Sequence, residues 1–396
     1  MGVHEDRTSG DIAIPPPHPG PVGVTRLALT DFRNYRSARL DLAAGPVVLT
    51  GPNGAGKTNL LEAVSILSPG RGLRNARLGD LDRRGSDDDG EPCWAVAATV
   101  ETRRGAVRLG TGRDPAGGER RVVRIDGETA SSQAALGMVV GVTWLTPQMD
   151  RLFIEGPLAR RRFLDRLVLG LDPAHATRVS AYEHAMRERS RLLREGSNDP
   201  VWVAAVEDTM AAQGVAVAAA RRDAVERLDE ACAEAQGPFP RARLSLDGTI
   251  EAWLDEMPAL AAEDRFRAAL KDSRGVDAVA GGATVGPHRA DLRVTHAERG
   301  TPAETLSTGE QKALLIAIVL AHARLQRQTR GEPPLLLLDE VAAHLDASRR
   351  EALFSALLDL ESQVWLTGTD AALFLPLRAA AQFLSVSDGT LSATTF

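Results

Sequence analysis

Residues 51–58 read Gly51, Pro52, Asn53, Gly54, Ala55, Gly56, Lys57 and Thr58, a full match to the spacing GxxxxGK[ST]. Such a loop wraps polyphosphate, because its glycines let backbone N–H groups approach the oxygens and the helix it opens adds partial positive charge. Lys57 would reach the β- and γ-phosphates and the Thr58 hydroxyl would ligate Mg²⁺, so ATP with Mg²⁺ is the expected cofactor pair. Of the 47 lysines and arginines, only Lys57, Lys271 and Lys312 are lysine. Lysine at 57 suits a compact ammonium held among phosphate oxygens, where a planar guanidinium does not fit.

Two further groups could do chemistry with such a loop. Asp339 and Glu340 end the run Glu332-Pro-Pro-Leu-Leu-Leu-Leu-Asp-Glu340. A strand buried in a parallel sheet would deliver both acids to the phosphate edge, Asp339 to hold Mg²⁺ and Glu340 to polarise the attacking water. The third group is Leu306-Ser-Thr-Gly-Glu-Gln-Lys312. Ser307 with Glu310 forms a capping box, and Ser307 with the free N–H groups of the helix that follows would also suit a second phosphate edge.

These residues need elements to hold them. The apolar run 46–50 predicts a buried strand entering the loop, and Leu60, Leu61, Val64 and Leu67 predict a helix leaving it. Alternation over 24–30 and 38–42 predicts two strands before the loop, and residues 93–101, 105–110 and 120–126 predict an antiparallel sheet beside it. Two helical regions, 158–194 and 201–236, are split by Gly196-Ser-Asn-Asp-Pro200 and read as an antiparallel hairpin. Lys57 and Asp339 are separated by most of the chain, so this hairpin is the natural insertion between the halves of the site. The expected organisation is a tail at 1–22, a nucleotide-binding head from 23–150 and 285–396, and a helical arm at 151–284.

The totals set limits. At 396 residues, 43% hydrophobic and 25% charged, the chain suits a globular protein with a sizeable core. A net charge of −6 gives no global basic signature, although a local arginine patch can bind DNA on an acidic protein. Cys93 and Cys232 form no metal or redox spacing. No run approaches the roughly 20 apolar residues of a membrane span, and the Pro-rich start lacks the features of a signal peptide. A cytoplasmic protein with no membrane partner is expected.

The order of the phosphate loop, Leu306-Ser-Thr-Gly-Glu-Gln311, Leu338-Asp-Glu340 and His344-Leu-Asp346 resembles the ATP-binding-cassette class of ATPase heads, including the SMC-like repair proteins. More narrowly, Asp31-Phe-Arg-Asn-Tyr35, Gly56-Lys-Thr-Asn-Leu-Leu-Glu-Ala63, Gly156-Pro with Arg161-Arg-Phe-Leu-Asp165, Gly286-Pro-His-Arg with Asp291, and Thr367-Gly-Thr resemble the RecF family of bacterial recombination proteins. The resemblance implies an α/β fold, a P-loop ABC/SMC-type ATPase head with an inserted helical-hairpin arm. It also implies an ATP-dependent homodimer in which Ser307 and Gly309 act in trans and Asp346 lies at the seam.

Such proteins bind gapped DNA or junctions of single- and double-stranded DNA, hydrolyse ATP slowly as a switch, and work with RecR and RecO to load RecA in gap repair and the SOS response. By the same resemblance, Gln148 would be the sensor glutamine. Val364-Trp-Leu-Thr-Gly-Thr-Asp370 lacks the histidine that many cassette ATPases carry, so a γ-phosphate contact would fall to Thr367 or Thr369, or be absent. Candidate DNA contacts are Arg71, Arg74 and Arg77 after the first helix, and Arg160, Arg161 and Arg162 at the base of the arm. The alternative is an ATPase subunit of another cassette system, a transporter or a nuclease partner. The helical insertion, the missing histidine and the lack of an acidic cluster after residue 346 all argue against it.

Overall fold

The structure, a computed structural model, describes residues 12–13, 22–83, 93–114, 120–196 and 199–394. Apart from 12–13 and 22, the tail expected at 1–22 lies outside them. Two compact units make up the chain, Met1–Met149 with Gln326–Phe396, and Asp150–Leu325.

The first unit opens with β1 (Ile12–Ala13), β2 (Gly23–Phe32), β3 (Tyr35–Asp41), β4 (Val47–Thr50) and the helix α1 (Lys57–Ser65). Then come β5 (Ala95–Thr102), β6 (Gly105–Arg113), β7 (Arg121–Ile125), β8 (Glu128–Thr129), α2 (Ala134–Val139) and β9 (Val142–Leu145). A seven-stranded sheet runs in the order β1-β3-β2-β5-β6-β7-β8, with every neighbouring pair antiparallel except β1 and β3. Period-two alternation sets its faces: Leu27 and Leu29 are buried while Arg26 and Thr30 point outward. Phe32 packs edge-on against Trp94 with ring centroids 5.9 Å apart.

The second unit holds α3 (Pro157–Leu171), α4 (His175–Arg194), α5 (Pro200–Ala233), β10 (Ala242–Asp247), α6 (Thr249–Glu256), α7 (Ala259–Asp272), α8 (Arg274–Ala280), β11 (Asp291–His296) and β12 (Thr301–Pro302). The helical region expected over 158–194 breaks at Pro173, which has no N–H to give and disfavours a helical residue before it. Helix α5 starts where Asp199 accepts the Val201 and Trp202 N–H groups with Pro200 in the first turn. Its core gathers Tyr182, Met210, Val215, Ile250, Phe266 and Leu270. A Cβ at Gly214 would meet Phe266 at 2.7 Å and Tyr182 at 3.0 Å, so only glycine lets α5 come this close.

Strand β11 pairs along its whole length with β10, Ala242 opposite His296 through Asp247 opposite Asp291. The expected return to the head at 285 therefore differs from the structure, where the second unit continues to Leu325. Hydrogen bonding across the sheet ties 291–296 to the arm, and sequence spacing carries no sign of that pairing.

Helix α9 (Thr308–Arg330) carries His322, which is fully buried and whose Nε2 lies 2.8 Å from the Leu167 carbonyl. Burial lowers the His322 pKa to about 4, and nearby Arg166 adds to this. An unfolded imidazole titrates near 6.5, so below that pH the unfolded chain takes up a proton that the folded chain refuses. Stability should be full above pH ~6.5 and fall by up to about 3 kcal/mol as the pH drops through about 4. Denaturant midpoints at several pH values should carry this slope, and His322→Gln should flatten it.

The first unit resumes with β13 (Leu335–Leu338), α10 (Ala347–Asp359), β14 (Val364–Gly368), β15 (Gln382–Ser387) and β16 (Thr390–Ala393). Its second sheet runs β16-β15-β4-β14-β13-β9 and is parallel except for β16. Strand β4 is central, and β4 and β13 both flank β14 in parallel, so the phosphate loop and the acid pair leave the sheet on one edge. Two glutamines bind this sheet to the antiparallel one. Gln363 accepts from the Val24 N–H and donates to the Val24 and Ala43 carbonyls, and Gln382 accepts from the Ala43 N–H and donates to the Ala43 carbonyl. Both amides thereby supply backbone bonds that strand pairing would otherwise provide.

Candidate nucleotide-binding site

Helix α1 begins at Lys57 with Gly56 as its N-cap, and no side chain caps it among the described residues. Its first amides are left for an anion. Gly56 has φ 116°, and a Cβ there would meet the Asn34 Nδ2 at 2.5 Å and the Tyr35 hydroxyl at 2.8 Å. Those two side chains strap the loop from the β2–β3 turn: the Tyr35 hydroxyl donates to the Gly56 carbonyl at 3.0 Å and the Asn34 amide to the Ala55 carbonyl at 3.2 Å. Burial raises the Tyr35 phenol, which stays a neutral donor.

Pro52, Asn53 and Gly54 are exposed at the loop tip, while Ala55, Gly56 and Lys57 are buried. The Lys57 ammonium donates to the Gly51 and Pro52 carbonyls at 2.7 and 3.0 Å and lies 3.8 Å from a Glu340 carboxylate oxygen. The Thr58 hydroxyl donates to the Asp339 carboxylate at 3.0–3.1 Å. Asp339 follows β13, its N–H bound to the Leu145 carbonyl at 2.9 Å. Glu340 is left-handed at φ 53°, an uncommon conformation for a residue with a Cβ. Thus Lys57, Thr58, Asp339 and Glu340, distant in sequence, converge on one edge. Gln148 is exposed in the turn after β9 and leaves the sheet at the same edge as Asp339.

Thr367 is buried and its hydroxyl donates to Asp339 at 2.7 Å, whereas Thr369 is exposed.

In the second unit, the capping box forms as spelled. The Ser307 N–H and hydroxyl both donate to Glu310, and the Glu310 N–H returns to the Ser307 hydroxyl. Bonds from Ser307 and from Arg299 hold the Glu310 carboxyl down at about 2. Gly309 is exposed, and a Cβ there would meet nothing within 4 Å among the described residues. Asp346, in the first unit, caps α10 by accepting the Arg349 N–H and remains exposed.

The arginine candidates separate. Arg160 is buried and bidentate to Asp291 at 2.7 and 2.8 Å, so its guanidinium is spent inside the arm and its expected role as a DNA contact is corrected. Arg161 donates to the Ala290 carbonyl at 2.7 Å. Arg162 is exposed, one face further round the helix. Arg74 bonds Asn59 and the fully buried Glu62, which Arg33 also grips, while Arg71 and Arg77 are exposed.

Two residues that sequence reading passed over complete the support. Glu62 ties the arginine loop to the back of α1, and buried Arg121 donates to the Ile66, Ser68 and Gly70 carbonyls beyond the helix end. Burial lowers the Arg121 pKa to about 10, which still leaves it charged. On the outer face of the antiparallel sheet, Arg39 and Arg124 make no hydrogen bond or ion pair among the described residues. Between them the register sets Ala28, Ala97 and Gly110 in one row.

The fold and this edge define a P-loop ATPase head of the cassette and SMC class. The family described as RecF/RecN/SMC N terminal domain matches residues 23–390. The chain is 51% identical over 385 residues to the DNA replication and repair protein RecF of Mesorhizobium japonicum, covering 95% of this chain and 99% of that one. It is 49% identical to the RecF of Brucella suis, covering 94% and 97%. Among solved structures, the recombination mediator protein RecF-ATPrS in the RecFOR pathway matches with a TM-score of 0.82 at 21% identity, covering 95% and 99%. An SMC head bound to the C-winged helix domain of ScpA matches at 0.54 and 18%, covering 94% and 97%. The chain belongs to the RecF family, whose curated members are named DNA replication and repair proteins. Among the described residues no helix is long and apolar enough to cross a membrane.

Proposed function

We propose that this chain is an ATP-gated DNA-binding dimer of the cytoplasm. It acts at single-strand gaps or at junctions of single- and double-stranded DNA, and with RecR and RecO it helps load RecA in recombinational repair and SOS induction. The observation that carries the ATP reading is the convergence of Lys57, the Thr58–Asp339 contact and Glu340 on one sheet edge. A solved RecF is described as RecF-ATP, which supports the same ligand here.

In this reading the backbone of residues 51–56 and the first amides of α1 bind the phosphates. Lys57 exchanges its loop carbonyls for β- and γ-oxygens, and Glu340 orients the attacking water. Mg²⁺ suits the hard oxygens of Thr58 and Asp339, and when bound it would neutralise charge on the phosphates. In this reading the chain is a slow, DNA-stimulated ATPase used as a switch.

Exposed Ser307 and Gly309 would close over the ATP of a second copy, with Asp346 at the seam. For DNA, the exposed Arg71, Arg77 and Arg162 are joined by Arg39 and Arg124. The latter two stand four strands apart, about 19 Å, across a floor of small side chains. Arginines on so flat a surface suit a phosphate backbone read without regard to sequence.

Adding ATP to the wild-type protein should double its mass in solution and raise its affinity for gapped duplex, with release as salt rises. Ser307→Arg should keep monomer ATP binding within about threefold while losing both the dimer and the ATP-dependent DNA affinity. Retained dimers in that variant would return residues 306–312 to a helix cap alone.

A further inference from the structure

Thr367 stands next to the last residue of β14 and is 1% exposed. A threonine hydroxyl has one proton to give and lone pairs to accept with. Here the proton goes to Asp339 Oδ1 at 2.7 Å and a lone pair receives the Glu340 N–H at 2.9 Å. One side-chain oxygen therefore touches both acids, the side chain of one and the backbone of the other. Thr58 approaches Asp339 through both carboxylate oxygens at 3.0–3.1 Å, so the carboxylate is held between two hydroxyls and cannot swing freely.

The second contact matters because Glu340 is left-handed, at φ 53°. A residue with a Cβ held there is strained and persists only where its surroundings fix it. The bond from its N–H to Thr367 is such a restraint. β-Branching stiffens the Thr367 rotamer, so its oxygen stays aimed at both acids.

We infer that Thr367 is a positioning residue for the acid pair: it fixes the Asp339 carboxylate for a divalent cation and sets the turn that aims Glu340. It reaches no phosphate, because its hydroxyl is buried and already engaged on both sides. The inference rests on the ATPase reading proposed above. Hydrogen-bonding partners of metal-ligating carboxylates change metal affinity or activity about 10- to 100-fold when removed.

The test compares Thr367→Val, which keeps shape and loses the hydroxyl, with Thr367→Ser, which keeps the hydroxyl. Mn²⁺ binding in the presence of ADP, followed by electron paramagnetic resonance, reads the carboxylate directly, and steady-state ATP turnover reads Glu340. Thr367→Val should raise the half-saturating Mn²⁺ about 10- to 100-fold and lower kcat by a similar factor, with the KM for ATP nearly unchanged. Thr367→Ser should stay within about threefold of wild type in both.

Wild-type Mn²⁺ affinity and kcat in a folded valine variant would overturn the inference, as would equal losses in valine and serine proteins, since packing alone would then explain them. Should the valine protein not fold, Thr367→Ala carries the same comparison. A wild-type protein that binds no Mn²⁺ with ADP would overturn the ATPase reading as well, an outcome distinct from a silent valine variant.

Discussion

Glu340→Gln should lower the rate of ATP hydrolysis about 100- to 1,000-fold while leaving ATP affinity within a few-fold, and the dimer proposed to form with ATP should then outlast the assay. The size follows from removing a group that accepts or orients a water proton in the transition state, an effect of about 10²–10⁴. Glutamine keeps the length of the side chain, and the left-handed turn at 340 is set by the backbone N–H bonded to Thr367, which the substitution leaves in place. The 3.8 Å approach of Lys57 becomes a contact with a neutral amide, which frees the ammonium for phosphate. The phosphate loop keeps its bonds to Tyr35 and Asn34, so binding persists while turnover does not. Single-turnover hydrolysis and mass in solution, with and without ATP, check both halves. Near-normal turnover would mean that Glu340 does not orient the water.

Much of this edge was legible because its parts are local in sequence. The phosphate loop is eight consecutive residues, and its strand and helix lie on either side. The acid pair ends an apolar run; in the second unit, the capping box likewise spans four residues that fold as spelled.

What stayed hidden depends on neighbours across the fold. Thr367 acquires its role because β14 lies beside β13, a pairing that no spacing announces. Gln363 and Gln382 read as ordinary polar residues and are instead the links between two sheets. Arg160, Arg161 and Arg162 look alike in sequence, yet a turn of about 100° per residue sends them to an aspartate, a carbonyl and solvent. The boundary expected at 285 shifted to 325 for the same reason: residues 291–296 belong where β10 pairs with them. Arginine-rich composition indicates how much positive charge a segment has, and only burial and partners decide whether that charge is free.

The same distinction gives the largest stability effect expected in the arm. Arg189 on α4 is 1% exposed and donates to Glu207 at 2.9 Å, to Asp277 at 2.7 Å and to the Leu270 carbonyl at 2.6 Å. One guanidinium thus joins α5, the end of α7 and α8, and both carboxylates are at most 2% exposed. Burial raises the Asp277 carboxyl, but bonds from Ser273, Arg189 and Thr284 outweigh it and leave the group below its ordinary value. Arg189→Met removes the central cation and leaves Glu207 to Arg274 alone and Asp277 to neutral donors. Breaking one side of a buried pair costs about 3–5 kcal/mol, because the carboxylate left behind is neither solvated nor neutralised. The half-exposed Arg267, bonded to Asp208 and Asp264, makes the control, since surface pairs of this kind contribute about 0–1 kcal/mol. Denaturant unfolding should lose several kcal/mol for Arg189→Met and stay within about 1 kcal/mol of wild type for Arg267→Ala. Equal small losses in the two variants would mean that the buried network adds no more than a surface pair does, and that the apolar core around Phe266 holds the arm without it.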